Sequence, residues 1–148
     1  MPIIRDFALP KAIGDLAFPA ATDAFFVAFL ASKDPQTNKP WCPDVVAALP
    51  TLESTFTGAN KPQAAFVEVG QRTEYAFWKS LGRGRLLIYV CRWKDPKNVF
   101  RTEWRVNNVP ALLRFEKTSE GVKEVGRLIE GEILDQERLE KLLSPSSK

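Results

Sequence analysis

Histidine is absent from the whole sequence of 148 residues. Without an imidazole, no Ser-His or Cys-His catalytic pair can form, and most zinc sites lose their commonest ligand. The chain has only two cysteines, Cys42 and Cys91. It therefore lacks the set of disulfides that stabilises small secreted domains. It also has no Asn-x-Ser/Thr glycosylation sequence. These absences predict a reducing, cytoplasmic setting, with neither a metal site nor a bound cofactor.

Long hydrophobic runs are also missing. The most apolar early run, residues 24–31, follows Asp15 and Asp23 rather than a basic leader, and it is far too short to cross a bilayer. The formal net charge is +3, and the basic residues are spread along the chain rather than clustered. We therefore expect no signal peptide, no membrane association and no nucleic-acid partner.

The composition is that of an ordinary globular protein, with 45% hydrophobic and 26% charged residues. A chain of this length buries a substantial core without covalent staples. We expect a single domain over residues 1–148 that ends in a flexible tail over residues 144–148.

Strand and helix patterns alternate along the chain, which predicts an α/β fold. The apolar run over residues 24–30 indicates a strand buried on both faces, as at the centre of an α/β sheet. Residues 45–56 have helical spacing, and Pro50 should kink that helix. The lead-in over residues 1–18 is either a short strand or irregular. The other predicted elements are strands at 64–69 and 86–90, a helix at 99–104, a hairpin of 111–115 with 122–129, and a closing helix at 134–143.

Cys42 lies where a polar loop over residues 32–40 gives way to the helix. The free N–H groups and the positive dipole end of a helix N-terminus favour a thiolate over a thiol. The thiolate is the nucleophile of thiol–disulfide exchange. Trp41 would shield one side of the sulfur, and Pro43 would hold the first turn in shape. The alternative is a buried, inert cysteine that only packs.

Around this cysteine, the run Trp41-Cys42-Pro43-Asp44 and a proline-containing helix resemble the thioredoxin superfamily. The sequence is most similar to the thioredoxin domain-containing protein 17 family, whose motif is Trp-Cys-Pro-Asp-Cys. The resemblance covers roughly residues 22–143 and implies a thioredoxin-like fold, a central mixed β-sheet flanked by helices, with protein-disulfide reductase activity. Further matching residues are Pro50, Glu53, Val69-Gly70, 93–98, Phe100-Arg101, Val106 and 109–113.

The resemblance also implies roles for single residues. Cys42 would be the nucleophile, and Pro110 would be a cis-proline beside it that leaves the Val109 backbone free to pair with an extended substrate. An ordinary trans strand start is the alternative for Val109-Pro110. Asp44 would tune the thiol and exclude some substrates, or simply complement the helix dipole.

One departure from the family motif bears directly on mechanism, because Val45 stands where the family has its second cysteine. A dithiol enzyme uses that second thiol to resolve the mixed disulfide. This chain would instead capture disulfide-containing proteins or small disulfides and need an outside thiol, such as glutathione, for release. Coupling to thioredoxin reductase, the family's electron donor, would be weakened. Two alternatives stay open: a redox-inactive module that binds peptides, and a monothiol enzyme resolved by glutathione.

A second departure is an apparent insertion over residues 76–92. Removing it would join Tyr75 to Trp93 and restore a sequence closer to the family. The segment is either an added hairpin or helix–strand piece, or a retained intron. Cys91, within it, has no counterpart in the family and would be either a small hydrophobic residue or a substitute resolving thiol.

Overall fold

The computed structural model describes residues 3–18, 22–70, 93 and 95–145. Within these residues, strands alternate with helices as the sequence patterns predict, and short 3-10 turns lie at Ile13–Asp15 and Glu130–Leu134. The strands and helices are β1 (Ile3–Ile4), β2 (Ala24–Leu30), α1 (Pro43–Phe56), β3 (Ala64–Glu68), α2 (Val99–Thr102), β4 (Ala111–Thr118), β5 (Gly121–Ile129) and α3 (Gln136–Leu143).

The described strands form one sheet in the order β1-β3-β2-β4-β5. β3 pairs in parallel with both β1 and β2, while β4 is antiparallel to β2 and to β5. The central strand β2 therefore has a parallel neighbour on one side and an antiparallel neighbour on the other. The predicted central mixed sheet is confirmed, and so is the β4–β5 hairpin.

The core forms on both faces of β2, where every residue after Ala24 is buried. Successive side chains of a strand point to opposite faces. The ring of Phe26 packs on Phe56 of α1, with centroids 5.3 Å apart. On the opposite face, Phe29 contacts Phe100 and Trp104 at 5.9 Å and 5.8 Å. The strand buried on both faces is thus confirmed, and its aromatic residues join α1 and α2 to the sheet.

Several predicted helix boundaries are wrong. α1 begins at Pro43 rather than at residue 45, and it runs without a break through Pro50. The helix predicted at 99–104 is the single turn of α2, which ends at Thr102. The helix predicted at 134–143 begins only at Gln136, because the Asp135 carboxylate accepts a hydrogen bond from the Arg138 N–H and caps α3. The predicted strand at 86–90 and the apparent insertion at 76–92 lie outside the described residues.

A buried arginine in the middle of β4 holds the end of α3. Arg114 is 6% exposed, and it pairs with Glu116 at 2.7 Å. Its Nη1 donates to the carbonyl oxygens of Leu142, at 2.7 Å, and Ser144. Ser144, the first residue of the predicted flexible tail, therefore has its carbonyl oxygen bonded to a residue of the sheet. No helix among the described residues is long and apolar enough to span a membrane.

Replacing Arg114 with leucine should destabilise the protein strongly. The change leaves the last carbonyl groups of α3 and the Glu116 carboxylate without their buried donor, which costs about 3 kcal/mol. Arg138→Leu is the matched control, because the Arg138–Glu132 pair is exposed and contributes below about 1 kcal/mol. Urea unfolding of both variants measures the difference. Equal losses would show that Arg114 is not an anchor for α3.

Candidate functional site

Cys42 is the N-cap residue of α1. Its backbone is extended, and its carbonyl oxygen accepts hydrogen bonds from the N–H groups of Val45 and Val46 at 3.1 Å and 3.2 Å. Pro43 occupies the first helical position, where its missing N–H costs nothing and its fixed φ suits the helix. The residue is partly exposed and lies at the N-terminal end of α1.

The start of β4 faces Cys42. The Cys42 thiol donates a hydrogen bond to the Val109 carbonyl, with Sγ 3.5 Å from the oxygen. The Val109–Pro110 peptide bond is cis, as the resemblance implied. Strand pairing of β4 begins at Ala111, so Val109 lies just ahead of the ladder. The structure thus brings together two segments 67 residues apart in sequence.

Trp41 is fixed by hydrogen bonds to the ends of two neighbouring strands. Its indole Nε1 donates to the carbonyl of Gly70 at 2.9 Å, and its backbone N–H donates to the carbonyl of Ser32 at 3.3 Å. Ser32 and Gly70 are themselves linked, because the Gly70 N–H donates to the Ser32 hydroxyl at 2.9 Å. The sequence analysis missed Ser32. Its position directly beyond β2 was a usable signal, because the parallel strands β2 and β3 end at the same edge of the sheet.

The loop before Trp41 folds back on itself. Lys33 and Pro40 form an isolated antiparallel bridge, and the Asp34 N–H donates to the Lys39 carbonyl at 2.8 Å. The Asp34 carboxylate accepts from the N–H of Gln36 at 2.7 Å, which closes an Asx-type turn. This closed loop leads the chain from the end of β2 to the start of α1.

Val45 and Asp44 lie on different sides of the first turn of α1. Val45 is 0% exposed and belongs to the hydrophobic core, whereas Asp44 is exposed. Val45 also lines a cavity of about 370 Å³ with Leu49 and Phe66, but Cys42 is not among the lining residues. A side chain at position 45 is therefore close to Cys42 along the helix but shielded from solvent.

Trp93 and residues 98–101, which include further positions that match the family, make contacts that support the fold. Arg101 donates from Nε to the Trp93 carbonyl at 2.8 Å and stacks on the Trp93 ring at 4.5 Å. The Asn98 side chain accepts from the Phe100 N–H at 2.8 Å and caps α2. Glu53, another matching residue, pairs with Arg5 on the surface. Cys91 is outside the described residues, which contain no cluster of His, Cys, Asp or Glu able to hold a metal ion.

A mixed sheet with a cysteine capping the helix after its central strand, beside a cis-proline, defines the thioredoxin-like class of protein. Comparison with known proteins is more specific. The family model of the thioredoxin domain-containing protein 17-like thioredoxin domain matches residues 16–83. A thioredoxin domain-containing protein of Schizosaccharomyces pombe is 31% identical over 128 residues, which cover 86% of this chain and 89% of that protein.

Two further relatives and one solved structure are also similar to this chain. Human thioredoxin domain-containing protein 17 is 30% identical over 80% of this chain and 76% of its own length. The thioredoxin-like protein Clot of Oryza sativa is 29% identical over 69% and 68%. The structure of Trichomonas vaginalis thioredoxin aligns with a TM-score of 0.45 at 14% identity, over 80% of this chain and 78% of that one. The chain belongs to the thioredoxin domain-containing protein 17-like family.

Iodoacetamide should label Cys42 in the native protein, because its residue is partly exposed. The protein to be labelled carries Cys91→Ser, so that Cys42 is its single thiol. The matched control carries Cys42→Ser and Val45→Cys in the same background, which moves that thiol to a fully buried position. Mass spectrometry should find native labelling of the first protein and labelling of the second only in denaturant. Rapid native labelling of both would contradict the burial of position 45.

Proposed function

We propose that this protein carries out thiol–disulfide exchange through Cys42, on disulfide-containing proteins or small disulfides. The observation that carries the proposal is the position of Cys42. It is a partly exposed residue at the start of α1, and its Sγ lies 3.5 Å from the Val109 carbonyl oxygen. The thiolate is the attacking species in disulfide exchange.

In the first step, the Cys42 thiol loses its proton to solvent and the thiolate attacks one sulfur of the substrate disulfide. A bond forms between Cys42 and that sulfur, the substrate S–S bond breaks, and the other substrate sulfur leaves as a thiolate. Val109 is 4% exposed and lies ahead of the β4 ladder, so a role in holding an extended substrate segment beside the sulfur would fall to its backbone groups rather than to its side chain.

The second step needs an outside thiol, because Val45 offers none. A thiolate such as that of glutathione attacks the substrate sulfur of the mixed disulfide. Cys42 leaves as a thiolate, and the substrate departs as a mixed disulfide with glutathione, which a second glutathione reduces. Per substrate disulfide, two glutathione molecules become one glutathione disulfide. A cytosolic location, rich in reduced glutathione, suits this chemistry.

Ellman's reagent should react once with Cys42 and then stop. In a Cys91→Ser background, attack on this aromatic disulfide releases one thionitrobenzoate per chain and leaves a mixed disulfide that has no internal thiol to resolve it. Absorbance follows the release, and mass spectrometry locates the adduct. The Cys42→Ser control should release none. If the native Cys42 protein also releases none, the redox-inactive, peptide-binding alternative is favoured instead.

Val45→Cys should restore dithiol turnover with thioredoxin reductase. Position 45 is three residues beyond Cys42, nearly one helical turn, and a thiol held there gains greatly over a dilute external thiol. Ala48→Cys is the control, because Ala48 is equally buried but about 9 Å farther along the axis than Cys42. NADPH oxidation with an insulin substrate should be sustained only in Val45→Cys. Equal turnover by the natural chain would instead implicate Cys91 as a resolving thiol.

A further inference from the structure

Ser32, Gly70 and Trp41 form a closed set of hydrogen bonds directly before Cys42. The Ser32 N–H donates to the Gly70 carbonyl at 3.4 Å, and the Gly70 N–H donates to the Ser32 hydroxyl at 2.9 Å. The same Gly70 carbonyl accepts from the indole Nε1 of Trp41 at 2.9 Å. The Trp41 backbone N–H donates to the Ser32 carbonyl at 3.3 Å, which closes the set. The residue next to the reactive cysteine is thus tied at both its backbone and its ring.

Within this set, the Ser32 hydroxyl fixes the direction of the Gly70 peptide groups. Gly70 has φ 96°, in the region that favours glycine, so its backbone is unusually free to turn. The hydroxyl holds the Gly70 N–H on one side, while the Gly70 carbonyl points toward the indole of Trp41. Without the hydroxyl, the partly buried Gly70 N–H loses its acceptor. Gly70 then loses one of the hydrogen bonds that hold its backbone, and the carbonyl that accepts from the indole is less firmly directed.

We propose that Ser32 is a positioning residue for the reaction of Cys42, acting through Gly70 and the Trp41 indole. The inference rests on the proposed exchange function and adds a determinant of its rate. Trp41 directly precedes Cys42, so the position of its ring affects the space beside this partly exposed residue. We expect a ring released from Gly70 to obstruct the incoming disulfide for part of the time.

A double-mutant cycle tests this route. Ser32→Ala, Trp41→Phe and the double variant are prepared in a Cys91→Ser background, and the rate constant of Cys42 with Ellman's reagent is measured. Each single variant should react about tenfold more slowly. The double variant should be no slower than Trp41→Phe, because both changes remove the same indole constraint. Ser32→Thr keeps the hydroxyl and should retain the native rate.

Thr118→Ala is the matched control, because Thr118 also accepts a backbone N–H, from Glu120 at 3.3 Å, but at the distant β4–β5 turn. It should leave the rate unchanged. A second readout is the indole ¹⁵N–¹H resonance of Trp41, assigned by its loss in Trp41→Phe. It should shift in Ser32→Ala and return in Ser32→Thr, which loss of stability alone would not produce.

The outcomes separate the two proposals. A native Cys42 that does not react with Ellman's reagent refutes the exchange function. A reactive native Cys42 with additive effects of Ser32→Ala and Trp41→Phe, or with an unchanged Ser32→Ala rate, refutes the role of Ser32 alone. If Ser32→Ala fails to fold, Trp41→Phe still decides, because a native rate in that variant overturns the proposal.

Discussion

Pairing of β2 with β3 on one side and with β4 on the other determines where the reactive sulfur lies. Parallel pairing of Leu30 with Glu68 brings the ends of β2 and β3 to one edge of the sheet, where Ser32 and Gly70 bond to Trp41. Antiparallel pairing of Phe29 with Ala111 brings the start of β4 to the same edge. The chain leaves this edge through Trp41 and enters α1, so Cys42 must lie beside Val109.

The buried valine at position 45 leaves Cys42 without a second thiol in the first turn of α1. Cys42, at the start of α1, is a partly exposed residue, whereas the Val45 side chain three residues later is fully buried in the core. Valine suits that apolar environment, since it contributes buried area and leaves no polar atom unsatisfied. In the proposed mechanism, capture of a disulfide needs Cys42, whereas internal resolution would need a second thiol at position 45. The two steps are therefore separable by substitution at position 45.

Much of the fold was readable from local patterns. The aromatic run of β2 has no polar residue, so burial on both faces followed directly, and Gly121 after a polar pair marked the β4–β5 turn. The ends of the helices were harder to predict from the sequence. The apolar spacing predicted that α3 begins at Leu134, but Asp135 caps the helix and α3 begins at Gln136. The cap depends on local geometry, which the spacing of apolar residues does not show. The hydrogen bond from Arg114 to the Ser144 carbonyl could not be predicted from a local pattern, because the two residues are 30 positions apart.

The site was partly readable as well. Cys42 and Val109–Pro110 were found through family motifs, whereas Ser32 carries no motif and joins the site only through hydrogen bonds between strand ends.

The most direct test of a monothiol centre is the lifetime of a disulfide between Cys42 and a peptide cysteine in the natural chain. The mixed disulfide should persist without added thiol and disappear when reduced glutathione is added, regenerating free Cys42. Spontaneous release of the peptide with formation of a Cys42–Cys91 disulfide would contradict the account.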